Sequence, residues 1–406
     1  MAVSLTPVSE NKVAIIGLGD EGCRMVAALD VPQQWEIECR LWDSSVESLS
    51  GYEEIESMKP EVLGVKITHG FGCGGQSDLG RSVFLQEQEL CSDLIAGKEL
   101  VILVSSLGGG FASGFAPELA KFCQTRGVPV ISFCKMPFSF QGRKCMESAK
   151  QALNRLRENS IAAPTFECDD YLPWLDEAGL AHKAIEQGNQ ELQVAVMNLC
   201  FLLFEEGLYE FGFKTLLAVF DLDICKTIVF SVRGKDPAAC VEQIKERLVE
   251  KFPNGEFRVD RSLVSIVGSK SLAVDDVSLV NKTLSDLVGK PEKSFFGACI
   301  DPGREDCTVV AYLNIHLGRQ FELSDLAAAP TSEKATPSVR KKSPKRGKSK
   351  SKKAAEVTAP DDSQGFFDHI LRESNRGYFE NTPSNNWNGI DLDVPTYIRR
   401  GIRVKT

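Results

Sequence analysis

Through the first half of the chain, short apolar runs alternate with segments whose apolar positions recur every three or four residues. Val13–Leu18 (VAIIGL), Glu36–Trp42 (EIECRLW), Leu100–Val104 (LVILV) and Val128–Cys134 (VPVISFC) read as strands, the last three apolar enough to be buried on both faces. Cys23–Leu29, Leu79–Leu94, Ala116–Arg126 and Arg143–Arg157 have helical spacing. Strands alternating with helices predict a parallel sheet with crossover helices, so the expected fold class is α/β and Rossmann-like. A longer helix is predicted over Ala181–Phe204, with Ile185, Leu192, Val196, Leu199 and Leu203 on one stripe. At 1.5 Å per residue it would run about 34 Å, long enough to join two domains. Strands at Thr227–Val232, Ser262–Val267, Phe295–Ile300 and Cys307–Ile315, with helices at Pro237–Phe252 and Val274–Val288, predict a second, α+β domain.

After Leu326 the pattern gives way to Ala, Pro, Ser, Thr and Lys, a composition that cannot bury enough apolar surface to offset chain entropy. A short helix is expected there around Phe366–Leu371. The expected organisation is an N-terminal tail (1–11), a parallel-sheet domain (12–180), a core helix (181–205), an α+β domain (206–318), a disordered linker (319–385) and a C-terminal peptide (386–406). A chain of 406 residues with 43% hydrophobic and 25% charged side chains has room for two folded units. The longest apolar stretch, Val194–Phe204, is far below the ~18 residues of a membrane span. The start, MAVSLTPVSENK, lacks the pattern of a secretory signal, so a cytoplasmic protein is expected. Thirteen cysteines without a C-x-x-C pair read as buried hydrophobes in a reducing compartment. Four histidines without ligand spacing give no metal centre.

Charge is unevenly spread. The net charge is −9, yet residues 331–360 hold ten basic and two acidic side chains and residues 361–406 hold six and seven, which leaves −16 for residues 1–330. Arg340–Lys353 has nine basic residues in fourteen positions and no acid. With no aromatic interleaved to stack on bases, it reads first as a solvated, self-repelling linker, and next as a segment that touches DNA or anionic lipid.

Two glycine-rich turns each leave a predicted strand and enter a predicted helix. Gly17-Leu18-Gly19-Asp20-Glu21-Gly22 is a G-x-G-x-x-G, with Asp43 ending the next strand. Three readings stand open for it: a dinucleotide site for NAD(P), a site for another nucleotide, or a turn with no ligand. Asp20 and Glu21 would set two negative charges beside a pyrophosphate, with Arg24 the nearby cation that offsets them. In the second turn, Ser105-Ser106-Leu107-Gly108-Gly109-Gly110-Phe111-Ala112-Ser113-Gly114, three consecutive glycines expose a row of amide donors. In a parallel sheet both turns open onto one crevice.

The second turn, followed by Lys135-Met136-Pro137-Phe138-Ser139-Phe140-Gln141-Gly142-Arg143-Lys144, resembles the FtsZ/tubulin family, whose corresponding stretches read G-G-G-T-G-T-G and T-K-P-F-x-F-E-G-x-K-R. Gly70-Phe71-Gly72-Cys73-Gly74-Gly75 with Asp78-Leu79-Gly80-Arg81 is similar to that family's G-x-G-A-G-x-N-P-E-x-G-R loop. Asp391-Leu392-Asp393-Val394-Pro395-Thr396-Tyr397-Ile398-Arg399-Arg400 is similar to its anchor-binding peptide D-I-P-x-F-L-R-R. The likeness spans about residues 12 to 315 and the tail, in order. It implies the FtsZ/tubulin fold, with GTP or GDP as ligand and Mg2+ admissible beside it. The nucleotide would lie on Gly19, Asp20, Glu21, Gly22, Cys23, Arg24, Gly108, Gly109, Gly110, Phe111, Ala112, Ser113, Gly114, Gln141, Cys145 and Asn189.

The chain departs from the family where the family does its chemistry. Phe111 and Ser113 replace the two loop threonines, Gln141 replaces a ribose-contacting Glu, and Cys145 replaces a phosphate-facing Arg. Asn189 stands at the position of the guanine-reading Asp; an amide oxygen accepts but its nitrogen cannot, so guanine preference weakens. The family's N-x-D-x-x-D after the long helix is here Leu208–Thr215, with Gly212 and Thr215 at the two acids. Glu210, Glu206 or Glu205 could substitute, and Glu210 is the candidate catalytic residue.

The resemblance implies head-to-tail self-assembly into a division-ring scaffold at mid-cell, with weak or lost GTP hydrolysis. It also implies membrane-anchoring division partners held by Asp393, Val394, Pro395, Tyr397, Ile398, Arg399 and Arg400, and leaves room for a second FtsZ that supplies the missing acids. Two other readings are a nucleotide-indifferent regulator of another filament and a Rossmann NAD(P)-dependent enzyme using Gly17–Gly22 and Asp43.

Overall fold

A computed structural model describes residues 12–315, apart from 54, 56, 175–180, 208–210, 221–225, 253–257, 290 and 292, and the backbone of 386–387 and 390–391. The expected Phe366–Leu371 helix, Glu210 and the tail residues Asp393 to Arg400 lie outside the described residues.

Ten strands form one sheet: β1 (Val13–Leu18), β2 (Glu38–Asp43), β3 (Met58–Val62), β4 (Leu100–Ser106), β5 (Val130–Met136), β6 (Thr165–Glu167), β7 (Lys226–Gly234), β8 (Val259–Gly268), β9 (Lys293–Ile300) and β10 (Cys307–Ile315). Their order is β3-β2-β1-β4-β5-β6-β7-β10-β8-β9. The first six strands are parallel throughout, in the order of a doubly wound nucleotide-binding sheet. A single parallel pairing, Thr165 with Ile228, carries the sheet into its second half, where β10 runs antiparallel to both β7 and β8.

The helices are α1 (Gly19–Ala27), α2 (Val46–Leu49), α3 (Val65–Thr68), α4 (Ser77–Gln86), α5 (Gln88–Ile95), α6 (Gly110–Thr125), α7 (Arg143–Asn159), α8 (Ala181–Phe204), α9 (Phe213–Phe220), α10 (Pro237–Lys251) and α11 (Val274–Leu287). Alternation along β1, β4 and β5 feeds two cores, and β7 to β10 also feed a third under α10 and α11. Ala14, Ile16, Val101, Leu103, Val130 and Cys134 join the layer of α4 to α7, while Ile15, Leu100, Ile102, Ile131 and Phe133 join that of α1 and α8. Leu192, Ala195, Val196, Leu199 and Cys200 put α8 in the second layer, where it also meets Val310 and Tyr312 of β10. The Tyr312 hydroxyl donates to the Ala195 carbonyl at 2.6 Å.

Several predicted boundaries move; the helix expected over Cys23–Leu29, for one, is found at Gly19–Ala27. The single helix expected over Leu79–Leu94 breaks at Glu87, whose carboxylate accepts the amide of Gly64 at 3.0 Å. The helix expected from Ala116 starts six residues earlier, at Gly110, because the glycine-rich segment itself is helical and packed. The pattern does not predict β3, β6, α2, α3 or α9; β3 is an edge strand containing Pro60, a residue tolerated there because an edge strand has an unpaired side. By itself, the C-terminal unit 331–406 shows Asn386–Trp387 paired antiparallel with Ile390–Asp391.

Candidate functional site

Strand order reverses direction at β1 and β4, and the crevice outside the carboxyl ends of such strands is where an open α/β sheet takes a ligand. Both glycine-rich turns sit there. Gly19, at φ 77°, starts α1, and a Cβ placed on it would lie 3.5 Å from Cβ of Ala112 in the second turn, so the two turns abut. Gly22 packs so closely on β4 that a Cβ would stand 2.6 Å from the Val104 carbonyl oxygen. Gly108, at φ 104°, turns the chain out of β4, and its amide donates to Ser113 Oγ at 2.8 Å. A Cβ on Gly108 would lie 2.5 Å from Cys145 Sγ, which sets α7 against the turn.

Several side chains expected at a ligand face inward instead. Cys23 is buried with Sγ 3.3 Å from the Gly17 carbonyl oxygen, and burial holds its thiol protonated. Phe111 is buried and stacks on Phe115 at 4.9 Å, and Ala112 and Ser113 are buried beside it. Gln141 is exposed, its Oε1 accepting the Phe138 amide at 2.9 Å. Asp43 is buried and accepts the Ser44 amide at 2.6 Å; burial raises its carboxyl above the usual range. A carboxylate so engaged is not presented to a ribose, which weighs against the NAD(P) reading.

The remaining charged groups find one another. Arg24 donates to Glu21 at 2.7 Å and to Asp20 at 3.0 Å. Lys135, at the end of β5 and only 2% exposed, reaches Asn189 Oδ1 at 2.6 Å, the Ile185 carbonyl oxygen at 3.3 Å and Glu21 Oε2 at 3.4 Å. The amide nitrogen of Asn189 donates to the same Glu21 oxygen at 3.2 Å. The crevice thus joins Glu21 of α1, Lys135 of β5 and Asn189 of α8. Lys135 was missed as a site residue; its signal was a lysine among the apolar residues of Val130–Met136.

At the far end of α8, about 22 Å from Asn189 at helical rise, Gly212 precedes α9 and Thr215 lies in it, both half-buried. Nothing stands within 4 Å of a Cβ built on Gly212. Glu205 accepts the Trp35 indole N–H at 2.5 Å, while Glu206 is exposed. A separate cavity of about 450 Å³ opens between α1, α8, β7 and α10, lined by Gln187, Gln193, Asn198, Arg233 and Arg304 among others.

The model of the GTPase domain of the Tubulin/FtsZ family matches residues 39–169. Those residues are thus similar in sequence to a Tubulin/FtsZ GTPase domain. Curated relatives extend the likeness over most of the chain. Cell division protein FtsZ of Aquifex aeolicus (strain VF5) is 24% identical over 307 residues, covering 75% of this chain and 82% of its own. That of Buchnera aphidicola subsp. Schizaphis graminum (strain Sg) is 23% identical over 317, covering 77% and 81%. Among solved structures, an empty FtsZ dimer of M. jannaschii superposes with a TM-score of 0.65 at 19% identity, over 75% of this chain and 88% of its own. CetZ2 of Haloferax volcanii, a GTPγS-bound protofilament, gives 0.60 at 20%, over 78% and 97%. The FtsZ/tubulin resemblance read from the motifs is borne out, as is the fold class; the chain is a divergent relative at about 23% identity.

Proposed function

We propose that this protein is the subunit of an FtsZ-like filament, a guanine-nucleotide-binding cytoskeletal chain that stacks head to tail and hydrolyses GTP weakly or not at all. The observation that carries the reading is the division of the site between the two ends of α8. The crevice gathers at Asn189, and the loop where catalytic acids are expected follows Phe204. Two ends of one rigid helix cannot meet within a subunit, so only a second copy placed end to end completes such a site, a heterologous contact that propagates as a filament. Slow hydrolysis follows from Gly212 and Thr215, neither of which can take a proton from water at neutral pH. The chain is proposed to act in the cytoplasm at the division site, its tail peptide held by a membrane-anchoring partner. The relatives named as cell division proteins and the neighbour solved as a protofilament support this reading.

Light scattering of the purified chain on addition of GTP, with GDP as control, tests assembly. Growth with GTP supports the reading, and a flat trace with either nucleotide counts against it. Gly212→Asp with Thr215→Asp is expected to raise phosphate release at least tenfold in assembled protein; an unchanged rate would refute the assignment of that loop.

A further inference from the structure

We propose that Glu21 is a built-in competitor of nucleotide, an intramolecular anion that occupies the crevice and sets how readily a phosphate-bearing ligand enters. This rests on the proposed nucleotide site and names its regulation. A helix N-terminus at a switch-point crevice attracts anions, and here the first turn of α1 supplies its own in Asp20 and Glu21. Arg24 and Lys135 are each already matched. Arg24 spans both carboxylates, and all three hydrogens of the Lys135 ammonium have acceptors in Asn189, Ile185 and Glu21. Asn189 has both ends of its amide engaged, the oxygen by Lys135 and the nitrogen by Glu21. The four charges Asp20, Glu21, Arg24 and Lys135 sum to zero, so a polyphosphate that is to use Arg24 or Lys135 must displace a carboxylate.

The Glu21 side chain is 25% exposed, against 3% for that of Lys135. Glu21 is therefore the member of the pair that can swing outward while the lysine stays. With Glu21 out, Lys135 and the α1 N-terminus become an anion site; with it in, the crevice is closed by charge. Nucleotide affinity then follows the balance between these two positions, and an added anion must bind the open state preferentially to shift it.

The test compares full-length wild type with Glu21→Gln and Lys135→Met by titration with N-methylanthraniloyl-GDP. Circular dichroism and thermal melts establish that each variant folds, and Glu21→Ser serves if the glutamine variant does not. Glu21→Gln keeps the shape, removes the charge and leaves Lys135 unmatched, so affinity should rise at least tenfold and the gain should shrink in high salt. Lys135→Met removes the cation and leaves Glu21 in place, so affinity should fall or stay low. An unchanged affinity in Glu21→Gln, or an equal rise in both variants, overturns the proposal, the latter because it would make bulk rather than charge the barrier. Sedimentation of the same proteins reads assembly separately. Wild type that never pellets refutes the filament reading, while the affinity ratio still decides the role of Glu21.

Discussion

Single residues here act through the partner they meet rather than through their type. Glu38 shows this away from the crevice: at the start of β2 it accepts from Arg40 and from Lys98, each at 2.6 Å, with the Lys98 side chain 8% exposed. Burial would raise its carboxyl, and the bonds from Lys98 and Arg40 outweigh that and hold it below the usual range. A carboxyl depressed in the folded state contributes stability above its unfolded pKa and loses it as pH falls through the folded value. Glu38→Gln should therefore destabilise by about 1 to 3 kcal/mol at pH 7. Its difference from wild type should shrink as pH drops below the carboxylate range, read from urea midpoints across a pH series. That Lys98 would be the partner, sixty residues along the chain, could not be read from spacing.

Elements pack as closely as their glycines allow. α4 crosses the start of α6 with Gly80 against the carbonyl oxygens of Gly110 and Phe111, and Gly114 against Ser77 and Arg81. A Cβ at Gly80 would collide with backbone, which cannot rotate away as a side-chain end can. Gly80→Ala is expected to cost about 1 to 3 kcal/mol, the range for overpacking a tight contact, with an unchanged denaturant slope and a lower midpoint. Glycine propensity predicts a later helix start than the one found, because a residue that weakens an isolated helix is what this contact requires. β6 escaped notice for a different reason: three residues, Thr165–Glu167, are too few for a periodic pattern.

At the scale of the whole molecule, a −16 body is joined to a basic segment and a tail whose last residues include Arg399, Arg400 and Arg403. The tail peptide is proposed as the partner-binding element, so deletion of residues 386–406 should abolish capture by a membrane anchor and leave pelleting of the purified chain unchanged within twofold. Loss of both would mean that the tail takes part in assembly itself. Neither result depends on hydrolysis.

The sequence by itself determined the α/β class, most strands and helices, the long helix from Ala181 to Phe204 and the two glycine-rich turns, because alternation, periodicity and backbone freedom are local properties. The resemblance read from it implies changed family positions at Phe111, Gln141, Cys145, Asn189, Gly212 and Thr215. Only the tertiary structure decided that Phe111 turns into the core and that Lys135, Glu21 and Asn189, more than fifty residues apart pairwise along the chain, close on one another. The reason is physical. A strand pattern records which face is dry, whereas the partner of a buried charge depends on which distant element the fold brings within hydrogen-bond reach, and a buried ammonium requires one.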